Sequence, residues 1–475
     1  MNTRALKIVA TSLGLYAATA NLFAQVTLTN LYSFTGGDGS TPKAGLVQGC
    51  DGYFYGTTYI GGTKSAGTVF RIGPSGSLTT LWTFGFSSQR DYHGSHPEAG
   101  LVQDSNGYFY GTTYDGGTNN GAGTVFQIST NSSLKILHTF HEATDAGDGS
   151  NPVAGLVQGR DGYFYGTTYN GGSSGVGTIY RINSSGNSYT ILHSFTNNPD
   201  GAHPVAGLVQ GRDGYFYGTT QYAGTNGYGT VFQLNTNGSL TILHSFGNGS
   251  DGANPMARLA EGIDGNFYGT ASTGGTNSDY TVNYGTVFQI SPSGNFTSLY
   301  SFTNLSDGSS PLGLVQGSDS NFYGTTLYGG VGDYGTVFRI SPSGSYSNLF
   351  SFTGGTGTIN GVFPFGLVQS SDGNFYGTTS QGGTGVDGTV FKLIVPLNPP
   401  ANQISTIQVE GTDVLVTIPS VATEFYQLQY RTSLTTSGWS NVLNASVTSI
   451  GGSLTATNFG GFSPSQQFYR FVITP

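Results

Sequence analysis

The sequence carries little charge. Of its 475 residues only 8% are charged, and 24 acidic residues against 15 Lys and Arg give a formal net charge of −9. A typical soluble domain has about 25% charged residues, so this composition excludes a domain covered by Glu- and Lys-rich helices. No basic run is present that could neutralise phosphates, which argues against nucleic acid as a partner.

Cysteine and long apolar runs are also scarce. Cys50 is the only cysteine, so no internal disulfide can form, and we interpret it as a tolerated exposed thiol in preference to a dimer bridge. Beyond the N-terminus no apolar segment is long enough to cross a bilayer. We therefore expect no membrane span once a leader has been removed.

Residues 1–24 have the order of a secretory signal peptide. Two basic residues come first, the apolar stretch Ile8–Ala20 follows, and small residues end the segment. We predict cleavage after Ala24, with cleavage after Ala20 as the alternative. The chain is accordingly expected to be secreted or cell-surface.

Glycine and aromatic residues are abundant, with 78 Gly, 31 Phe and 30 Tyr. Segments that cannot fold lack aromatic and β-branched residues, so disorder is excluded. Many Gly residues beside many aromatic residues favour short strands joined by tight turns. The predicted class is all-β.

A repeat of about 50 residues carries this composition. The repeat consists, in this order, of Gly-Leu-Val-Gln, a short turn, Phe-Tyr-Gly-Thr-Thr, a Gly-Gly loop, Gly-Thr-Val-Phe and a segment ending in Ser/Thr-Phe. Four short strands at this period predict one blade of a propeller. The pentapeptide, with one variant that ends in Ala271, starts at Phe54, Phe109, Phe164, Phe216, Phe267, Phe322 and Phe375.

The phase of the repeat predicts a closed ring. The last copy stops at Leu393 without a fourth strand, and an unmatched fourth-strand sequence, Leu28–Phe34, precedes the first copy. A ring uses this offset, because the N-terminal strand completes the last blade and removes two sheet edges. We predict a seven-bladed β-propeller over residues 25–395, with a parallel β-helix as the alternative.

The frame in residues 155–180 resembles a known family. Gly-Leu-Val-Gln-x-x-Asp-Gly-x-Phe-Tyr-Gly-Thr-Thr followed by Gly-Gly is similar to the tandem repeat of the choice-of-anchor GloVer family of secreted bacterial proteins. The Gly-Gly pair is also similar to that of kelch propellers. The resemblance implies a propeller-like extracellular protein and brings no catalytic residues with it.

The C-terminal part has another pattern. Residues 396–403 are predicted to form a Pro-rich linker, and the alternating runs of 404–475 indicate a small β-sandwich. Tyr426–Tyr430 and Phe468–Phe471 resemble segments of fibronectin type III-like modules. Trp439 is interpreted as a core anchor, with a stacking platform for sugar rings as the alternative.

Residue types needed in all seven copies build blades, so a single ligand site should appear as a departure from the repeat. The second residue of the pentapeptide is predicted to pack between blades, with its hydroxyl bonded locally. Three histidines in fourth strands, His138, His193 and His244, are predicted to be packing residues. Single Asp residues in the interblade loops are predicted to be turn caps, and no metal or cofactor is expected. A polar contact between blades is predicted for the column Arg71, Gln127, Arg181, Gln233, Gln289, Arg339 and Lys392.

Departures concentrate in the loops of one predicted face, which joins the blades and carries the Gly-Gly loops. Aromatic and acidic side chains there suit a neutral polar ligand such as a glycan, although ordinary loop variation is the alternative for each. The candidate ligand-binding residues are Tyr92, His93, His96, Glu98, His141, Glu142, Asp279, Tyr280 and Tyr284.

These patterns favour an exported, non-catalytic binding or adhesion propeller whose partner is an extracellular polysaccharide or a surface protein. One alternative is a carbohydrate-active enzyme, either hydrolase or lyase, with an axial site built from Glu98, Glu142 or Glu261. Another is a purely structural component of the envelope. No catalytic residue is predicted, because most acidic residues lie in repeated turns and no nucleophile motif is present.

Overall fold

The computed structural model describes residues 26–85, 93–118, 121–141, 148–276, 284–354 and 361–395, and six strands between 406 and 474. Leu28–Leu393 forms one compact unit, and Ile394–Pro475 belongs to a second. The regular elements in the described part of the chain are all strands, which confirms the all-β class. Within these ranges no helix has the length and apolar character needed to cross a bilayer.

Seven four-stranded antiparallel sheets, called blades 1 to 7, make up the first unit. The strands of blades 1 to 4 are, in blade order, Val47–Gln48, Phe54–Thr58, Ser65–Ile72, Leu78–Gly85; Val102–Gln103, Phe109–Thr113, Thr124–Ile128, Leu134–Thr139; Val157–Gln158, Phe164–Thr168, Thr178–Ile182, Tyr189–Ser194; and Val209–Gln210, Phe216–Thr220, Thr230–Leu234, Leu240–Ser245. Two further short strands in blade 3, Gly149–Ser150 and Asn170–Gly171, pair with each other.

The remaining blades follow the same order. Their strands are Ala260–Glu261, Phe267–Ala271, Thr286–Ile290, Phe296–Ser301; Ser309–Gln316, Phe322–Tyr328, Thr336–Ile340, Tyr346–Ser351; and Val362–Gln369, Phe375–Gln381, Thr389–Ile394, Thr27–Ser33. In blade 7 the N-terminal strand pairs with the third strand, and Phe34 N donates to Gly388 O at 3.0 Å. The predicted closure is confirmed, and the β-helix alternative is wrong.

Aromatic stacking joins each blade to the next. The tyrosine at the second position of the pentapeptide lies on the phenylalanine at the first position of the following copy, at ring-centroid distances from 3.9 to 4.2 Å. Both rings are buried. The predicted packing role is confirmed, and the seven pairs close a ring: Tyr55–Phe109, Tyr110–Phe164, Tyr165–Phe216, Tyr217–Phe267, Tyr268–Phe322, Tyr323–Phe375 and Tyr376–Phe54.

The same tyrosines are tied to the turn of their own blade. Tyr55 donates its hydroxyl to Asp51 at 2.7 Å, and the second oxygen of Asp51 accepts the Tyr53 amide. Equivalent hydroxyl-to-aspartate bonds occur in all seven blades, so the prediction of local bonding is confirmed.

The polar column of third-strand residues does not bridge blades, contrary to the prediction. Gln127 lies directly opposite Tyr110 in the antiparallel pair and donates to its hydroxyl at 2.7 Å. Lys392 likewise reaches Asp372, within blade 7. Cross-strand neighbours are about 5 Å apart, whereas the neighbouring blade presents its phenylalanine to the tyrosine, so the column completes a contact inside one blade.

The fourth-strand histidines pack as predicted. His138 stacks on Tyr189 of the next blade at 3.8 Å, and its Nε2 lies 3.2 Å from Asp148. His193 lies 2.9 Å from Asp200, which also caps the Thr196 amide, so the predicted turn-cap role is confirmed. Among the described residues no group of three His, Cys, Asp or Glu side chains could hold a metal ion.

The innermost strands are shorter than the sequence pattern suggests. Gly45–Gln48 has the pattern of a strand, but only Val47–Gln48 pairs in blade 1. Between Ser40 and Val47 the chain has one residue more than between the equivalent residues Ser309 and Val315 of blade 6, whose inner strand is continuous. The extra residue interrupts the ladder in blades 1 to 5.

The second unit contains two three-stranded antiparallel sheets, in agreement with a small β-sandwich. One sheet buries Val416 and the other buries Leu428. The predicted linker 396–403 and Trp439 lie outside the described residues, and the fibronectin-like character remains a prediction. The sheets are, in spatial order, Thr406–Glu410, Asp413–Ser420, Gly452–Asn458 and Ser440–Thr448, Phe425–Arg431, Phe468–Thr474.

Loss of one stacked ring is expected to weaken the whole propeller. Tyr376→Ala removes the ring that joins blade 7 to blade 1 and should lower the free energy of unfolding by about 3 to 5 kcal/mol, measured by urea titration. Tyr228→Ala, at an exposed tyrosine, should change it by about 0.5 kcal/mol or less. Equal effects of the two substitutions would contradict a stabilising role for the ring.

High pH is expected to unfold the propeller through the same tyrosines. Burial, assisted by the turn aspartates, raises the pKa of Tyr110, Tyr165 and Tyr268 from 10.0 to about 12. The unfolded chain therefore loses protons first, and the free energy of unfolding should fall as the pH rises from 10 to 12. Tyrosinate absorbance should rise first for the exposed tyrosines, and the further rise from the buried ones should coincide with loss of the strand signal in far-ultraviolet circular dichroism. Ionisation of all 30 tyrosines with an intact strand signal would contradict this.

Candidate ligand-binding site

Seven backbone positions with unusual geometry surround the axis on one face of the propeller. This face, called the loop face, carries the interblade loops and the Gly-Gly loops, because successive strands are antiparallel. At each position the residue before a proline has a positive φ, between 51° and 57°, although none is glycine. The residues are Thr41, His96, Asn151, His203, Asn254, Ser310 and Phe363.

Backbone hydrogen bonds hold these residues in place. His96 N donates to Ala66 O of the preceding blade at 2.9 Å, and His96 O accepts the Tyr114 amide at 3.0 Å. Non-glycine residues keep such backbone angles only where their surroundings enforce them, and binding sites collect such positions. The ring therefore presents seven fixed side-chain positions whose chemistry differs from blade to blade.

The residue that follows each pentapeptide lies next to this ring and breaks the sevenfold repeat. In blades 1 to 3 it is Tyr59, Tyr114 and Tyr169, all half-buried. Blades 4 to 7 have Gln221, Ser272, Leu327 and Ser380 at this position. Sequence reasoning missed these tyrosines, although alignment of the seven copies at the residue after Thr-Thr exposes the difference.

The extra residue of the inner strands adds charge to the same region. It is Lys43 in blade 1 and Glu98 in blade 2, and Lys43 Nζ lies 2.8 Å from Glu98 Oε1. The same ammonium group lies 3.3 Å from the centre of the Tyr59 ring. Lys43 thus orients both a carboxylate and an aromatic face.

An acidic cluster continues from blade 1 to blade 2. His96 Nδ1 lies 3.0 Å from Asp115 Oδ2, and the His96 ring lies 4.9 Å from that of Tyr59. Burial, followed by the negative charges of Glu98 and Asp115, raises the pKa of Tyr59. Burial and the same two carboxylates raise the pKa of Tyr114. Both phenols therefore stay protonated and can donate hydrogen bonds.

Blades 3 and 4 extend the aromatic surface. The ring of Tyr169 stacks on His203 at 4.4 Å, and His203 meets the exposed Tyr222 edge-on at 6.1 Å. His203 Nδ1 donates to Tyr169 O at 2.9 Å, because a carbonyl oxygen can only accept. We call the following nine residues the tyrosine arc: Lys43, Tyr59, His96, Glu98, Tyr114, Asp115, Tyr169, His203 and Tyr222.

The structure brings together two of the nine residues that sequence analysis selected, His96 and Glu98. The described others lie elsewhere. His93 contacts Trp82, beside a depression of about 210 Å³ on the outer strand of blade 1. His141 is bonded to Asp148, and Tyr284 packs against the core between blades 5 and 6. Outside the described residues lie Tyr92, Glu142, Asp279 and Tyr280.

Glu261, named for the alternative of an enzyme, lies at the other end of an inner strand, next to the turn. Its Oε1 accepts the Arg212 amide at 3.0 Å. In the preceding blade Gln210 accepts the Arg160 amide in the same way at 2.9 Å. Glu261 therefore performs the scaffold role that glutamine has in other blades, and it does not lie with Glu98 in the acidic cluster.

The family model described as the Gloeobacter/Verrucomicrobia repeat matches residues 15–146, 84–283 and 279–409. The chain belongs to this repeat family. The resemblance read from the sequence is confirmed. No curated protein matches this Gloeobacter/Verrucomicrobia repeat protein.

Several solved structures are similar to this repeat protein at low sequence identity. A glucose dehydrogenase-type oxidoreductase candidate from Thermus thermophilus is 14% identical, with a TM-score of 0.40, over 78% of this chain and 100% of that one. A gluconolactonase candidate is 11% identical, with a TM-score of 0.37, over 78% and 92%. A chain of a nidogen/laminin complex is 16% identical, with a TM-score of 0.36, over 55% and 83%. We carry no activity from them to this chain.

Proposed function

We propose that this repeat protein is an exported binding propeller that holds an extracellular polysaccharide on the tyrosine arc without catalysing a reaction. The observation that carries the proposal is the placement of Tyr59, Tyr114 and Tyr169 at one structural position in three successive blades. None of the other four blades offers an aromatic ring at this position.

The chemistry of the arc suits sugar rings. A pyranose has apolar C–H faces that pack on aromatic rings and hydroxyl groups that need hydrogen-bond partners. Tyr59, Tyr114 and Tyr169 supply ring faces, whereas Glu98 and Asp115 supply acceptors for hydroxyl groups. A polymer that contacts several of these positions at once gains avidity from linked weak contacts.

Export is part of the proposal. The signal-peptide pattern of residues 1–24 supports export. Membership in the repeat family supports it too, because the resemblance to that family implies a secreted protein. With one cysteine the chain needs no disulfide, and buried aromatic rings and backbone ladders stabilise it instead. The predicted fibronectin-like module of residues 404–475 would then be exported with the propeller.

A binding assay on matched positions tests the proposal. The full chain is screened on a glycan array, and the strongest neutral polysaccharide is titrated by calorimetry. Tyr114→Ala should weaken its binding at least about tenfold, because stacking on one aromatic ring is lost. Leu327→Ala, at the same structural position in blade 6, should leave binding unchanged.

Three outcomes would overturn the proposal: no glycan bound by the unaltered chain, equal binding by Tyr114→Ala, or equal losses from Tyr114→Ala and Leu327→Ala. Binding of a surface protein alone would favour adhesion through another surface. Tyr114→Phe should keep most of the affinity, because it preserves the ring and removes only the hydroxyl.

A carbohydrate-active enzyme is the second candidate function. One observation favours it: Glu98 contacts Lys43 and Asp115 contacts His96, and both Lys43 and His96 lie against the Tyr59 ring, so two carboxylates lie near one side chain. Glycoside hydrolysis needs such a pair. If the chain releases sugars from its polysaccharide, Glu98→Gln and Asp115→Asn should each lower the turnover number at least about a hundredfold. We expect no release, measured as reducing ends.

A further inference from the structure

The segment that leads into the innermost strand of blades 1 to 5, and the innermost strand itself in blades 6 and 7, places one residue beside the propeller axis. In six blades this residue is glycine, at Gly45, Gly100, Gly155, Gly207, Gly313 and Gly366. In blade 5 it is Arg258. Arg258 is thus the only charged residue at this repeated position, and sequence reasoning had not selected it.

Close packing explains most of the glycines. A Cβ atom added to Gly100 would lie 3.0 Å from Gly45 O, and one added to Gly155 would lie 3.0 Å from Gly100 O. At the closure of the ring, a Cβ on Gly45 would lie 3.2 Å from the carbonyl group of Gly366. From blade 7 through blade 4 the inner strands therefore leave little space for a side chain.

The ring is wider around blade 5. A Cβ added to Gly313 in blade 6 would meet nothing closer than Ala257 Cβ, at 3.9 Å. The hydroxyls of Thr219 in blade 4 and Thr325 in blade 6 are buried and have no partner among the described residues, whereas their counterpart Thr57 donates to Ala99 O of the next blade at 2.8 Å. The ring of inner segments is therefore less closely packed on the side of blades 5 and 6, where Arg258 lies.

Arg258 is accessible to solvent, yet protein surrounds its charge. Its side chain is exposed, and its Cδ lies 3.9 Å from where a Cβ of Gly207 would be, so it extends over the inner strand of blade 4. Burial of the guanidinium lowers the pKa of Arg258. A side chain that lies beside the propeller axis, open to solvent and surrounded by the blades, has both properties.

No carboxylate of the described residues pairs with Arg258. Glu98 is bonded to Lys43, and Glu261 accepts the Arg212 amide. In a chain with a net charge of −9, this cation beside the axis therefore has no counter-ion among the described residues. An unpaired guanidinium is available to form charge-assisted hydrogen bonds with an anionic group.

We propose that Arg258 forms an oxyanion site beside the propeller axis, which takes one carboxylate or sulfate group. The planar guanidinium offers two parallel N–H donors that match such a group, and the six glycines at the equivalent positions leave no competing side chain there. The oxyanion is supplied either by a free ion or by an acidic sugar of the polysaccharide in the proposed function. Only the second source, an acidic sugar, depends on the proposed function.

Titration of the full chain at low ionic strength tests the site. Calorimetry with sodium sulfate and with D-galacturonate should show one site in the unaltered protein. Arg258→Gly should lower both affinities at least about tenfold, since the charge-assisted bonds are lost. Lys135→Gln removes a positive charge on the outer strand of blade 2 and should leave both affinities unchanged.

Arg258→Gly introduces the residue that six blades already carry, and its unfolding midpoint in urea verifies that it folds. No binding of either anion by the unaltered protein would overturn the proposal, and so would equal affinities in Arg258→Gly or an equal loss in Lys135→Gln.

The source of the oxyanion is decided by polygalacturonate and its fully methyl-esterified form. Tighter binding of polygalacturonate that Arg258→Gly abolishes assigns the site to an acidic polymer. Binding of sulfate and D-galacturonate without this preference assigns it to free ions. Binding of the neutral polymer should depend on Tyr114 and not on Arg258, so failure of this site and failure of the proposed function are distinguishable.

Discussion

The stacked tyrosine and phenylalanine between neighbouring blades is the contact on which the rest of the structure depends. A single four-stranded sheet of this size is marginal, because both of its faces are apolar. The seven pairs bury those faces against each other, and the pair Tyr376–Phe54 makes the series circular. Burying the tyrosine hydroxyl in this interface without a partner would destabilise the fold, but the hydroxyl donates a hydrogen bond to the turn aspartate of its own blade. One residue thus links the interface to the turn.

Because the scaffold is repeated, the residues that build the blades differ from those that are proposed to bind a ligand. The ring of positive-φ residues has the same backbone in every blade, so the side chain there is free to vary without loss of the fold. The tyrosine arc lies in blades 1 to 4, where histidine occupies two of these positions and tyrosine follows the pentapeptide in three blades. The shorter inner strands contribute too, because their extra residue places Lys43 and Glu98 beside Tyr59. The interruption of strand pairing therefore places charged side chains at the tyrosine arc.

Two repeated roles account for many of the described aspartates of this propeller. Aspartates in the turns accept tyrosine hydroxyls, and aspartates in the interblade loops accept backbone amides and fourth-strand rings. The tyrosine arc and Arg258 stand outside this repeated use. The arc combines aromatic faces with carboxylates, whereas the axis presents a cation alone, so the two sites suit different parts of a ligand.

The sequence alone determined the number of blades, their strand order and the closure by the N-terminal strand, because each blade is a local pattern written seven times. It also separated scaffold from variable residues. Only the tertiary structure decided which variable residues meet. Lys43 and Glu98 are 55 positions apart, and their contact depends on the angle between two blades and on an interrupted ladder. The prediction for the third-strand column was wrong because the pattern specifies a strand position but not which neighbour its side chain reaches. Hydrophobic periodicity encodes local pairing, whereas contacts across blades arise from packing around a common axis.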